Sequence, residues 1–378
     1  MNVTIIGAGP AGLYLSYLLK RRHPRATIRV LERNPGGATF GFGVVFSDRA
    51  LEFLRDDDPG TYQSITPALE SWSDITLDLE GQIVRIDGIG FSAIGRLELL
   101  RLLHDRAHAA GVRVEYERPV ESLDELRDAD LIVGADGVHS LVRDAYANEF
   151  GASLTHLSNR FAWYGTTKRF ETLTQTFRRT PHGAFNAHHY RYSPRMSTFI
   201  VETDAGTWQR AGLASMDEPA TAAYLERVFS DTLGGHPLLS NKSAWRTFAH
   251  VSNARWSAGK AVLLGDALHT AHFSIGSGTR LAMEDAFALA RAIEAHPADP
   301  PAAVRAYEAT RRPILDKLTT AADASAAWYE RFAEHMRLPP LDFAMSYITR
   351  SGRVDLDRLR LVSPRFVAAY ERYRRASP

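Results

Sequence analysis

Short apolar runs that stop at glycine recur along the chain. Val3–Ile6 is such a run, a predicted buried strand leading into a glycine-rich turn. Leu13–Arg22 follows with the apolar spacing of a helix, closed before Pro24, and Thr27–Leu31 completes a strand–helix–strand unit. Arg96–Ala110 again has helical spacing, stops at Gly111 and leads into a predicted strand over Val112–Tyr116. Leu131–Val133 and Ala261–Leu264 are unbroken apolar runs ending at glycine, as strands buried on both faces of a parallel sheet are.

The middle has a different rhythm. Between about Phe161 and Val251 the pattern is β-rich, with strands expected at Phe161–Thr167, Gly183–Tyr190 and Ser197–Thr203 and one helix at about Pro219–Thr232. This predicts a mainly antiparallel sheet inserted into an α/β domain. Beyond the proline-broken His296–Pro301 stretch, amphipathic helical spacing runs from Ala302 to about Arg331, and the tail reads as basic and polar.

Composition narrows the function classes. The 378 residues exceed one simple core, and 45% hydrophobic with 24% charged residues is ordinary for a globular enzyme. A formal charge of +1 provides no broad field for nucleic acid. The chain has no Cys, which excludes disulfides, thiolate metal sites and a cysteine nucleophile. No His/Asp/Glu set has metal spacing, so no metal is expected. Glycines cut the N-terminal apolar stretch and no positive region precedes it, so it is not a signal peptide. Nothing approaches the roughly 20 apolar residues that span a bilayer, and a cytoplasmic protein without a membrane partner is expected.

Three motifs carry chemistry. In Gly7-Ala8-Gly9-Pro10-Ala11-Gly12 the first glycine permits a tight turn, the second admits a pyrophosphate to the backbone, and the third lets helix pack on strand. Glu32, twenty residues after Gly12 at the end of the second strand, is placed to accept from a ribose hydroxyl, so the unit predicts a dinucleotide. Next, Asp130–Arg143 brings Asp136 and Gly137 to the carboxyl edge of the sheet, where ligands sit. Last, Gly265-Asp266 ends a strand, and Gly276-Ser277-Gly278 opens a helix whose N-terminus can stabilise an anion.

In this order and spacing the motifs resemble the single-component FAD-dependent aromatic hydroxylases, the fold of para-hydroxybenzoate hydroxylase, over essentially the whole chain. The segments Phe42–Asp48, Trp163–Lys168, Ser197–Glu202 and His272–Thr279 resemble one branch: that of salicylyl-CoA 5-hydroxylase, 2-aminobenzoyl-CoA monooxygenase/reductase and a tropone-biosynthesis flavoenzyme, with the violacein-pathway tryptophan hydroxylase more distant. The resemblance implies a Rossmann-like FAD-binding domain in three parts (1–70, 91–157, 255–300). It also implies a substrate domain from strands at 71–90 and the segment 158–254, and a C-terminal helical region at 301–378. It further implies FAD as cofactor, NADH or NADPH as reductant, and O₂ as co-substrate through a flavin C4a-hydroperoxide.

By the same resemblance, Gly7, Gly9, Ala11, Gly12, Glu32 and Arg33 hold the ADP half, with Val120 near the adenine. Gly43, Val44, Arg96, Asp136, Gly137, Asp266, Gly276, Ser277 and Gly278 contact the rest of the cofactor. The implied substrate is a small aromatic, an acyl-CoA thioester in this branch. Its candidate contacts are Tyr164, Lys168, His188, Phe273 and Arg280, the two cations because CoA brings phosphates. His272 is the candidate catalytic base; alternatively it hydrogen-bonds backbone and shapes its turn. His272-Phe273 replaces the Pro-Pro pair of the wider family, so contacts at the ring face do not transfer in detail. A two-flavin, hydroxylate-then-reduce activity is not expected. Oxygenolysis of a CoA ester, hydroxylation of a free aromatic and a non-catalytic binding protein on the same fold stay open.

Overall fold

The apolar runs pair side by side in a computed structural model that describes residues 1–38, 41–47 and 50–376. Asp48 and the last two residues of the tail lie outside the described residues. Asn2–Ile6 pairs in parallel with Thr27–Leu31 on one side and Leu131–Gly134 on the other. Arg113–Glu115 extends one edge and Ala261–Leu263 the other, where Ser257–Ala258 adds an antiparallel strand. The helix Pro10–Arg22 packs on this sheet and against the helices Arg96–Ala109 and Gly278–Ala295. Covered on all sides, it is buried without a break from Ala11 to Leu19. It starts three residues before the apolar spacing suggests, because Pro10 suits a first helical position, where its missing N–H costs nothing.

A second, eight-stranded sheet carries the middle of the chain. Ala152–Thr166, Ser197–Thr203, Gly183–Arg191 and Leu173–Thr180 pair in that order, each antiparallel to the next. The hairpin Ile75–Leu79 and Gln82–Ile86 then joins the far edge, Ile75–Leu79 running parallel to Leu173–Thr180. Two parts of this sheet have no clear signature in the pattern. The first half of Ala152–Thr166 is mostly exposed on both faces, so its polar and apolar residues do not alternate. Leu173–Thr180 (LTQTFRRT) buries Gln175 and Thr176 beside Leu173 and Phe177, which hides the alternation.

Side-chain alternation gives the large sheet two apolar faces. One face presents Tyr164, Phe185, Ala187, Phe199 and Val201 to Leu225 and Phe229 and to Leu233 of the helix Ser230–Leu233. The other presents Ile75, Leu77, Leu173, Phe177 and Tyr190 to the C-terminal helices. Within the basic, polar-looking tail, Pro340–Thr349, Leu356–Val362 and Pro364–Ala376 are helices that bury Phe343, Tyr347, Leu359, Phe366 and Val367. Their charged outer faces dominate the composition. The buried Asp87 accepts from the backbone N–H of Arg365 (3.2 Å) and Phe366 (2.9 Å), tying the last helix to the hairpin.

A small third sheet, Gly43–Ser47 with Phe91–Gly95 and Glu70–Trp72, completes the sheets among the described residues. No helix among them is long and apolar enough to cross a membrane.

Candidate functional site

The glycine turn is built for close approach. Gly7 has φ +103°, and an added Cβ would stand 2.3 Å from the carbonyl oxygen of Ala135. Gly12 is as crowded, but Gly9 is not: at φ −72° its Cβ would meet no protein atom within 4 Å. Gly278, opening the helix Gly278–Ala295, is equally free of protein neighbours. Neither helix start has a side-chain cap, since Gly9 has none to give and Ser277 turns its hydroxyl back to the carbonyl of Ile275. Two open helix N-termini, each with a glycine the protein's own packing does not require, fit a dinucleotide with its phosphates and an anionic ring edge.

Around these starts stand the other expected cofactor contacts. Glu32 accepts from the N–H of Ala8 (2.9 Å) and from the N–H and side chain of Asn34 (2.8 and 2.7 Å), so it braces the turn itself. Its oxygens retain lone pairs for a ribose hydroxyl. Arg33 is exposed and Val120 half-buried. Gly43 and Val44 lie on the small sheet, where the Gly43 N–H donates to Thr198 Oγ1 (2.9 Å) and its carbonyl accepts from Tyr190 (2.9 Å). Asp136 turns inward, with Oδ2 accepting from the N–H of Leu141 (2.7 Å) at the start of the helix Leu141–Ala145 and Oδ1 left without a partner. Asp266 is exposed beside the Gly265 corner. Desolvation raises its carboxyl, outweighing the opposite pull of His269 and Arg96.

Those contacts depend on a buried ionic lock that the motifs do not reveal. Asp285, fully buried, binds His269 Nε2 (2.7 Å), the N–H of Gly265 (3.1 Å) and Arg311 Nε (2.8 Å). It thereby joins the Gly265–Asp266 corner to the helices Gly278–Ala295 and Pro300–Tyr329. The available signal was a carboxylate at helical spacing within the buried stripe Leu281, Ala282, Asp285, Ala286 and Leu289.

The substrate candidates divide by face. His188, Leu173 and Ile75 on the large sheet line a cavity with Val45 and Phe91 of the small sheet, Gly276, Ile89, and Tyr347, Ile348 and Arg350 of the C-terminal region. Tyr164 is corrected: it points to the opposite face, fully buried in register with Phe199, because strand positions of opposite parity cannot share a face. Lys168 also lies away from the cavity, its Nζ beside Gly234 at the end of the helix Ser230–Leu233. Arg280 is paired to Glu284 at 2.7 Å. Phe273 is half-buried and packs at a tilt against Phe161, with centroids 5.1 Å apart.

His272 is tied into its own turn. Its Nδ1 pairs with the hydroxyl of Ser274 (2.8 Å), which continues to Ser325 (2.7 Å), and its ring packs among Phe248, Phe273 and Tyr329. Burial, with Arg350 and His188 nearby, pushes its pKa down to about 3. Such a ring is held neutral near pH 7, and its bond to Ser274 braces the turn. His188 is likewise held at about 3 by burial and Arg350. Among the described residues no cluster could hold a metal ion.

Known proteins match this architecture. A family model described as an FAD binding domain matches residues 1–322. Salicyloyl-CoA 5-hydroxylase of a Streptomyces species is 43% identical over 361 residues, which cover 93% of this chain and 70% of that protein. The 3-hydroxy-4-methyl-anthranilyl-(aryl-carrier protein) 5-monooxygenase of Streptosporangium sibiricum is 35% identical, with 94% and 95% covered. In fold, the chain superposes on 2-methyl-3-hydroxypyridine-5-carboxylic acid oxygenase with a TM-score of 0.71 at 19% identity, covering 96% and 97%.

Proposed function

The chain belongs to the FAD binding domain family and is an FAD-dependent aromatic monooxygenase, and from that premise we propose that its substrate is an aromatic acyl thioester, such as salicylyl-CoA. One oxygen atom of O₂ enters the ring, with NADH or NADPH as reductant. Bound FAD supplies the oxygen-activating chemistry.

The chain's own residues bind, orient and exclude water. The turn Gly7–Gly12 and the start of the helix Gly278–Ala295 hold the cofactor's phosphates and ring edge, with Glu32 on a ribose hydroxyl and Asp266 and Arg96 along the cleft. The substrate ring enters the cavity between Gly276 and the sheet, where Ile75, Phe91, Leu173 and Ile348 keep it dry. His188, neutral near pH 7, offers hydrogen bonds without a charge.

The observation that carries this reading is the position of that cavity. Its lining brings Val45 and Gly276, next to the open helix start at Gly278, together with Ile75, Leu173 and His188 of the large sheet. Two relatives named for thioester-tethered aromatics support the substrate class. NAD(P)H oxidation and O₂ uptake by the FAD-loaded enzyme are measured with salicylyl-CoA, free salicylate and tryptophan. Stimulation by the thioester is expected. No acceleration by any CoA or carrier-protein thioester overturns the thioester reading.

A further inference from the structure

The cavity-side face of the large sheet carries buried polar residues among its apolar ones, Gln175, Asn186, His188 and Glu202 included, and of these His188 lines the cavity. Gln175 and His188 sit directly opposite one another on paired strands, so their side chains share one face. Both are buried, at 0% and 3% exposure. Neither the amide of Gln175 nor either ring nitrogen of His188 has a hydrogen-bond partner in the protein. Leu77, Leu173 and Phe177 surround them on the same face, and the C-terminal helices that cover it provide no partner. Buried polar atoms are ordinarily satisfied, and leaving four unsatisfied side by side opposes folding.

We propose that Gln175 and His188 form a recognition pair that determines which ring substituents the cavity accepts. This deepens the monooxygenase reading above and rests on it. Together the two side chains offer amide and imidazole N–H donors, an amide oxygen and an imidazole nitrogen as acceptors. That set matches a ring hydroxyl or amino group, which donates and accepts, next to a carbonyl, which accepts. It does not match a free carboxylate. Arg350, the cation of the cavity lining, already donates through Nη2 to the carbonyl of Ser274, through Nε to Ser325 and through Nη1 to the carbonyl of Tyr347. The pair therefore favours an uncharged acyl group, as in a thioester, bearing a neighbouring hydroxyl or amino group.

The test uses FAD-loaded enzyme and two ligand pairs that differ only in the ring hydroxyl, salicylyl-CoA with benzoyl-CoA and salicylamide with benzamide. Binding is read from the flavin absorbance change, and thermal unfolding is followed on the same samples. The wild type is expected to prefer the hydroxylated member of a pair by about ten-fold or more. In Gln175→Leu and His188→Phe this preference is expected to fall to about two-fold or less, while the unfolding temperature holds or rises because an unsatisfied polar group has been removed. His188→Gln is expected to restore part of the preference. A preference that survives both apolar variants overturns the inference. So does its loss together with a fall of several degrees in unfolding temperature, since the pair would then be structural. A preference that collapses only for the amides keeps the pair and rejects the thioester reading.

Discussion

A Cβ on Gly12 would stand 2.0 Å from the carbonyl oxygen of Gly7, while one on Gly9, between them, would touch no protein atom. Crowding and openness thus alternate within six residues, and the two glycines must fail differently. Gly12→Ala should destabilise even the FAD-free protein, by about 1–3 kcal/mol. Gly9→Ala should leave the FAD-free protein within about 0.5 kcal/mol of wild type but weaken FAD binding about ten-fold or more. Chemical unfolding of the apoprotein and a fluorescence titration with FAD measure the two effects separately.

The lock at Asp285 predicts a large structural cost. Burial opposes its charge, but His269 and Arg311 hold its carboxyl down at about 2. Asp285→Asn takes the fully buried carboxylate from Arg311, which keeps Glu284 at 2.8 Å, and should cost about 2–3 kcal/mol, with FAD released at lower temperature than in wild type. Because the folded pKa lies below the ordinary value of 3.8, the carboxylate's contribution is present above about pH 4 and disappears as pH falls toward 2.

Glu202 predicts the opposite slope. Burial, resisted by a hydrogen bond from Asn159, raises its carboxyl to about 8. The folded state then keeps a proton that the unfolded chain loses near 4.5, so stability from this group falls as pH climbs from about 4.5 to 8. Glu202→Gln should remove up to about 1.4 kcal/mol of that loss per pH unit in this window. His188 and His272, both near 3, act at the acid end, where stability falls as pH drops from about 6.5 toward 3. Urea unfolding of wild type and Glu202→Gln at several pH values separates the two arms.

Tyr164 should be dispensable for substrate. Its hydroxyl is buried without a partner on the face turned away from the cavity, and burial raises it to about 12. Tyr164→Phe is expected to leave ligand affinity unchanged and stability equal to or slightly above wild type. A several-fold weaker affinity for the hydroxylated ring, measured by the flavin absorbance change, would contradict that placement.

These contrasts show what could be read from the chain alone. The glycine turn, its helix and Glu32 are legible because strand, turn and helix follow within thirty residues and each glycine has a separate local job. His188 and Tyr164 could be assigned to strands, but not to faces. A face is set by register with Ile200 and Phe199, and no local pattern carries register. Gln175 was hidden in a strand whose polar residues are themselves buried. For His272 both readings were open from sequence, and its ring contacts with Phe248 and Tyr329 come from distant segments that no local pattern announces. The tail reads as basic and polar because its helices show water a charged face, and that face dominates the composition.

Ile75–Leu79 pairs with Leu173–Thr180 across roughly a hundred residues, and the strand Leu131–Gly134 of the other sheet lies in the interval. The sheet that receives the substrate is therefore not a cassette that recombination can lift out whole. Cutting at either end of the middle segment would leave one edge strand behind and expose the other. New substrate preferences in such a chain must arise residue by residue on a floor that stays in place, which makes the few polar positions of that floor the currency of divergence.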